Sequence, residues 1–411
     1  MRTRACSVST RVQLPVTSPA APKNVNDGDL DTDLQHREER PYRAFMNNPK
    51  PHYVTLGHSG LRVHPLCLGA MTFGTEWGFG TDVATSDAMI TRYLELGGNF
   101  IDTANIYTKG HSEKVIGDYF STGAGAGIRD RVVIATKFGG NMWPDDPNGG
   151  GSGSKAMVGA VEHSLRRLGT DYIDLLWCHF WDRLTPIEEL MRGMELLVRQ
   201  GKVRHIGLSD HPAWVCAIAQ SFARNSGSTP LVALQIEYSL LQRTVEAELI
   251  PMAIHEGMGV TPWSPLRGGV LSGKFSRTNP PKDDGSTRVK SDSKFLTERT
   301  WKLLDALHAM ASNKQCSVAQ LALRWTMNRP GVASTIIGAR TMKQLEDNMG
   351  AMAIHITAED VVQLDALTKP ELPFPHEFLD FVRSGIHNGT TINGVHGDPW
   401  LLAPQNAHER W

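Results

Sequence analysis

Eight short apolar segments, each followed by a stretch of helical length, constrain this chain more than any other feature. The segments are 66–70, 99–103, 132–136, 172–177, 204–208, 231–236, 259–263 and 333–337. Helical stretches are expected at 84–97, 112–120, 155–168, 187–199, 212–224, 244–256 and 317–328, with another near 341–348. A strand apolar on both sides needs cover on both faces, and helices between parallel strands supply it. Eight such units predict a closed α/β fold, the (β/α)8 TIM barrel. HYVTLGHSGLRV (52–63) adds a short N-terminal β-hairpin around Gly57 and Gly60. The competing architecture is an open doubly wound sheet, which asks for a glycine-rich dinucleotide turn after the first strand. GAMTFGTEWGFG (69–80) lacks that spacing.

The expected organisation is a flexible leader over 1–50, a barrel over 51–367 and a C-terminal extension over 368–411. The leader is polar and proline-bearing over 21–50. Its early arginines are compatible with a targeting peptide, but its apolar stretch is short and broken. Cytoplasm is the default location. With 42 basic and 43 acidic residues the formal charge is -1, which argues against nucleic acid as a partner. No apolar run approaches membrane-spanning length, so direct membrane insertion is not expected. Five scattered cysteines form neither metal spacing nor a disulfide framework. The tail histidines, His376, His387, His396 and His408, are too irregularly spaced for a metal site, and no metal is expected.

Two long connections break the rhythm, 139–154 after the third strand and 267–295 after the seventh. Both follow strand carboxyl ends, the face on which barrels of this kind carry their sites. The first reads as a glycine-rich pocket wall and the second as a partly basic flap.

Four polar residues stand at strand ends. Asp102 and Tyr107 occur in IDTANIY (101–107), Lys137 in VVIATKF (132–138), and His179 in IDLLWCHF (173–180). A barrel brings such ends together. A phenol is a weak acid, with a reference pKa of about 10. An ammonium beside it favours the phenolate, so Lys137 is expected to lower the pKa of Tyr107, with Asp102 holding the lysine. Tyr107 then donates its proton to a carbonyl oxygen that gains charge, and His179 orients that oxygen. The reverse reaction uses the phenolate as base. A plain structural ion pair between Asp102 and Lys137 is the bland alternative. The quartet supplies no hydride, so a nicotinamide is needed.

With these motifs in order, the chain resembles the aldo-keto reductases over roughly 52–367. It looks closest to the long-chain branch, which includes general aldehyde and aryl-alcohol reductases and the reductase-like subunits of potassium channels. The resemblance implies reduction of aldehydes or ketones with NADPH, NADH being the weaker alternative. It implies the tetrad Asp102, Tyr107, Lys137 and His179, with Tyr107 as proton donor. It assigns the nicotinamide carboxamide to Ser209, Asp210 and Gln235, although relatives usually carry Asn at the Asp210 position. Trp263, followed by Ser264, matches an aromatic position against the nicotinamide ring. Leu266, Gly268, Ser272 and Lys274 match the segment covering the pyrophosphate. Gly338, Arg340, Gln344 and Asn348 fall on the adenosine-binding segment, with Arg340 a candidate for the 2'-phosphate.

Pocket walls are expected from Trp77, Phe138, Trp143 and Trp181. Their aromatic character favours an aryl, terpenoid or sugar ring in a small carbonyl or alcohol substrate. A homo-oligomer is compatible with the sequence. Two other functions stay open: an NADPH-binding subunit of a membrane assembly with little turnover, and a Schiff-base aldolase using Lys137.

Overall fold

Eight parallel strands form the centre of the protein in a computed structural model, which describes residues 52–283, 289–404 and 406–410. The expected leader, 1–50, lies outside the described residues. The strands are β3 (Leu66–Gly69), β4 (Phe100–Asp102), β5 (Val133–Phe138), β6 (Ile173–Cys178), β7 (Val203–Ser209), β8 (Leu231–Glu237), β9 (Gly259–Trp263) and β10 (Thr335–Ile337). From β3 to β9 each strand pairs in parallel with its sequence neighbour, and β10 pairs with β3. The seam between β9 and β10 is bridged just before β10, where the Val260 amide donates to Gly331 and the Ala333 amide donates to Val260. The sheet is therefore a nearly closed (β/α)8 barrel, as the repeat predicts.

The short hairpin, β1 (Val54–Thr55) with β2 (Arg62–Val63), lies at the amino ends of the strands. Its Leu56 and Val63 are fully buried with Cys67, Phe100, Leu175 and Trp177, which fill the barrel interior. Gly57 has φ 58°, and a Cβ there would lie 2.3 Å from the Val232 carbonyl oxygen, so only glycine fits that approach. Inside the barrel Gly207 leaves room for the Trp177 indole, which a Cβ would meet at 2.5 Å.

Helices clothe the outside: α1 (Val83–Glu95), α2 (His111–Ser121), α3 (Ser154–Leu168), α4 (Ile187–Arg199), α5 (Ala213–Ser226) and α6 (Leu249–His255), then α7 (Glu298–Lys314), α8 (Val318–Met327), α9 (Met342–Met349), α10 (Ala358–Thr368) and α11 (His376–His387). Their starts are chemically marked. The Asp82 carboxylate caps α1 by accepting from the Thr85 amide, and Ser317 with Gln320 forms a capping box on α8. In α4 the buried residues Leu190, Met191, Met194 and Leu197 repeat at helical spacing and cover the strands.

The structure corrects the expected elements in three places. The helix expected over 244–256 is a 3-10 turn, Thr244–Glu246, followed by the shorter α6. The crossover from β9 to β10 holds two helices, because α7 precedes the expected α8. Two further helices, α10 and α11, follow the last strand. Part of the 267–295 connection is described as well. It begins with the 3-10 turn Arg267–Ser272.

Candidate active site

The four strand-end residues meet at the carboxyl mouth of the barrel. Asp102 is the last residue of β4, and Lys137 is one residue from the end of β5. Alternation along β5 fixes the direction of Lys137. Val133 and Ala135 face the interior, whereas the Thr136 hydroxyl donates to the buried Glu113 carboxylate on α2. Lys137 therefore points inward and Phe138 outward. This corrects one expectation: Phe138 is only 1 % exposed, packs in the strand–helix layer and is not a pocket wall.

The Lys137 ammonium is fully buried, with three partners. It forms an ion pair with Asp102, donates to the Thr103 carbonyl at 2.8 Å, and donates to the Tyr107 hydroxyl at 3.2 Å. Burial penalises the ammonium most, yet Asp102 and Tyr107 hold its pKa above the ordinary lysine value. The second Asp102 oxygen accepts from the Gln235 amide at 3.0 Å. Gln235, expected at the carboxamide, thus ties β8 to β4.

Tyr107 opens a 3-10 turn followed by two non-glycine residues of positive φ, Thr108 (47°) and Lys109 (59°). Thr108 is held there because its hydroxyl donates to the Phe73 carbonyl at 2.7 Å and accepts from the Ser112 amide at 2.9 Å. The expected lowering of the Tyr107 pKa is not what the structure gives. Burial raises it, and the Lys137 charge offsets only part of that rise. His179 packs edge-on against the Tyr107 ring, with centroids 5.8 Å apart. Burial, reinforced by the Lys137 charge, lowers its pKa to about 3, so the imidazole is neutral at ordinary pH. Its Nδ1 is buried with no hydrogen-bond partner among the described residues.

The expected cofactor positions line the other side of the mouth. Ser209 is fully buried at the end of β7. Asp210 adopts φ 53° and accepts from the Ser209 hydroxyl at 3.2 Å and from the Trp263 indole N–H at 3.0 Å. Trp263 ends β9, and Ser264 after it has φ 54°. Arg267 pairs with Glu237 and lies over the Phe295 ring, 3.9 Å from its centroid, so the start of the flap is tied to β8. Leu266 precedes the turn that contains Gly268, and the Ser272 hydroxyl bonds within that turn to the Gly269 carbonyl.

Lys274 is exposed, and desolvation by its neighbours together with the positive charge of Arg340 lowers its pKa. Neither cation has an ion-pair partner among the described residues. The Gln344 side chain accepts from the Arg340 amide at 2.8 Å, and Asn348 donates to the Gly338 carbonyl at 3.2 Å. Both therefore brace the turn into α9.

Trp77 covers Tyr107 edge-on, with centroids 6.0 Å apart. Its loop is anchored by Glu76, which pairs with His111 at the start of α2. Trp143 is 52 % exposed and packs on His163, whereas Trp181 packs edge-on against Trp214 at 5.3 Å. Trp214 is missing from the sequence-based pocket. Its sign was a tryptophan just after His211-Pro212, where α5 begins at the mouth.

Comparison with known proteins matches residues 65–369 to the aldo/keto reductase family. Among curated relatives, an aryl-alcohol dehydrogenase of Pestalotiopsis microspora is 35 % identical over 82 % of this chain and 89 % of its own length. An NADP(+) aryl-alcohol dehydrogenase of Phanerodontia chrysosporium is 35 % identical over 83 % of this chain and 91 % of its own. A norsolorinic acid reductase of Aspergillus flavus is 35 % identical over 80 % and 84 % respectively. A barrel with an Asp–Lys–Tyr–His constellation at its mouth, matched over most of its length, belongs to the aldo/keto reductase family.

Proposed function

We propose that this protein interconverts an aryl aldehyde or ketone and its alcohol with NADPH and NADP+, and that Tyr107 is the acid and base. The observation that carries the reading is the Lys137 ammonium, buried between the Asp102 carboxylate and the Tyr107 hydroxyl.

The residues suit a phosphorylated dinucleotide. Lys274 and Arg340 are neighbouring cations that share no carboxylate among the described residues, and a phosphate would relieve their repulsion. Trp263 offers a flat face at the mouth. When bound, the nicotinamide supplies or accepts the hydride.

The chain's own residues handle the proton. In reduction the Tyr107 hydroxyl gives its proton to the carbonyl oxygen as that oxygen becomes negative. Lys137 stabilises the phenolate left behind, and neutral His179 donates a hydrogen bond to the same oxygen. In oxidation the phenolate takes the hydroxyl proton. Because burial keeps the phenol protonated, the resting enzyme is poised as a proton donor. Trp77, Trp143, Trp181 and Trp214 support a flat aromatic substrate, in keeping with the aryl-alcohol dehydrogenases among the relatives. A cytoplasmic setting accords with this chemistry. Among the described residues no helix is long and apolar enough to cross a membrane.

The test is turnover of a panel of benzaldehydes and aliphatic aldehydes with NADPH, by wild type and Tyr107→Phe. Cofactor oxidation by wild type alone is expected. Equal rates in the two proteins would overturn the role of Tyr107.

A further inference from the structure

We infer that Asp210 is a charge-selecting residue that makes the site prefer the oxidised, cationic nicotinamide over the reduced, neutral one, biasing the bound state toward alcohol oxidation. The inference rests on the proposed binding of a nicotinamide at this mouth.

Three observations carry it. First, Asp210 is a carboxylate whose partners are both neutral: the Ser209 hydroxyl at 3.2 Å and the Trp263 indole N–H at 3.0 Å. Two other carboxylates at the mouth are matched to cations, Asp102 to Lys137 and Glu237 to Arg267, whereas Asp182 is held by amide and hydroxyl donors of Ser152 and Thr185. Asp210 has no such ion pair among the described residues.

Second, its position is built. Asp210 holds a left-handed backbone, φ 53°, which costs a non-glycine residue energy. Its amide donates to the Gln235 carbonyl at 3.1 Å, so the turn is pinned to β8. The bond to Trp263 then spans from β7 across β8 to β9 and holds the carboxylate beside the indole. Third, Asp210 is exposed at the open mouth, where an arriving ligand can reach it.

A ring carrying a positive charge beside such a group is attracted to it, and the reduced ring is not. Once a bound ring covers the carboxylate, one charge pair changes an affinity on the order of ten-fold or more. The overall reaction balances as alcohol plus NADP+ giving carbonyl, NADPH and a proton. The two electrons and the hydrogen leave the carbinol carbon together, and the hydroxyl proton leaves through Tyr107. Asp210 does not change that overall equilibrium. It changes which cofactor form the protein holds more tightly, and so the balance between bound reactants.

The measurement is direct binding of NADP+ and of NADPH to the full chain by titration calorimetry, at neutral pH and fixed salt. The proteins compared are wild type, Asp210→Asn and Trp263→Phe. An asparagine oxygen still accepts the indole bond, so Asp210→Asn removes charge and little else. It is expected to weaken NADP+ about ten-fold and to leave NADPH within about two-fold. Trp263→Phe removes the indole donor but keeps the carboxylate, and the ratio of the two affinities should persist while both affinities fall. An unchanged ratio in a folded Asp210→Asn protein overturns the inference alone. So does an equal loss of preference in Trp263→Phe. Absence of binding of either form to wild type overturns the proposed function with it.

Discussion

The two sides of the barrel mouth are built on opposite principles. Around Lys137, the residues Asp102, Thr103 and Gln235 sit on or just beyond a strand, are buried, and tie neighbouring strands together. Around Trp143, Trp181 and Trp214 the side chains come from loops and a helix start, and two of them are about half exposed. A charge buried in a barrel is tolerable only when its neighbours are fixed, because an unpaired buried ion is costly. Apolar rings on a rim carry no such requirement. The first side suits chemistry that does not change, and the second suits selection that can.

That contrast can be broken by substitution. The largest loss is expected from Tyr107→Phe, with turnover reduced by ~10³-fold or more and NADPH binding within a few-fold, read by steady-state kinetics and calorimetry. Asp102→Ala leaves the Lys137 ammonium buried without its carboxylate. It should destabilise the fold by ~3–5 kcal/mol in urea unfolding, and a loss below ~1 kcal/mol would show the pair to be less rigid than its burial implies.

His211 sharpens the same side. Its Nδ1–H donates to the Ser209 carbonyl at 2.6 Å, and burial lowers its pKa from 6.5 to about 4. An unfolded histidine takes its proton near pH 6.5, whereas this one does so only near pH 4. Between those values the unfolded chain holds more protons, so stability falls as pH falls. The loss from this group approaches ~3 kcal/mol near pH 4. Urea midpoints from pH 7 to 4 should drop more steeply in wild type than in His211→Gln.

The rim and the flap should respond less. Arg340→Ala is expected to weaken NADPH about ten-fold and NADH by less than two-fold, and equal losses would remove the 2'-phosphate from its role. Trp214→Ala should lower kcat/KM for a benzaldehyde by about five-fold and leave a short aliphatic aldehyde nearly unchanged. An effect as large as that of Tyr107→Phe would mean the two sides of the mouth are not separable.

What the sequence disclosed follows the same division. The barrel was legible because short apolar strands and helical stretches repeat eight times, with polar residues at several strand ends. The meeting of Asp102, Lys137 and Tyr107 followed from that repeat. α7 escaped notice because one helix per strand leaves no place for it, although Leu303, Leu304, Leu307 and Met310 carry helical spacing and Thr297 caps it. Phe138 was misplaced because strand-end position was weighed and side-chain alternation was not. The Tyr107 pKa was misjudged because the charge of Lys137 is visible in a sequence and the depth of burial is not. Trp214 escaped because a helix start joins the mouth only once the barrel has closed.

The Gln235–Asp102–Lys137 chain carries a last consequence. One carboxylate rivets staves on opposite flanks of the wall, and the amine it grips is already aimed at the phenol. Under the proposed function, arrival of a dinucleotide therefore has nothing to assemble among Asp102, Lys137 and Tyr107. Under the same reading, any rearrangement on loading falls to the flap and rim, outside this bonded chain.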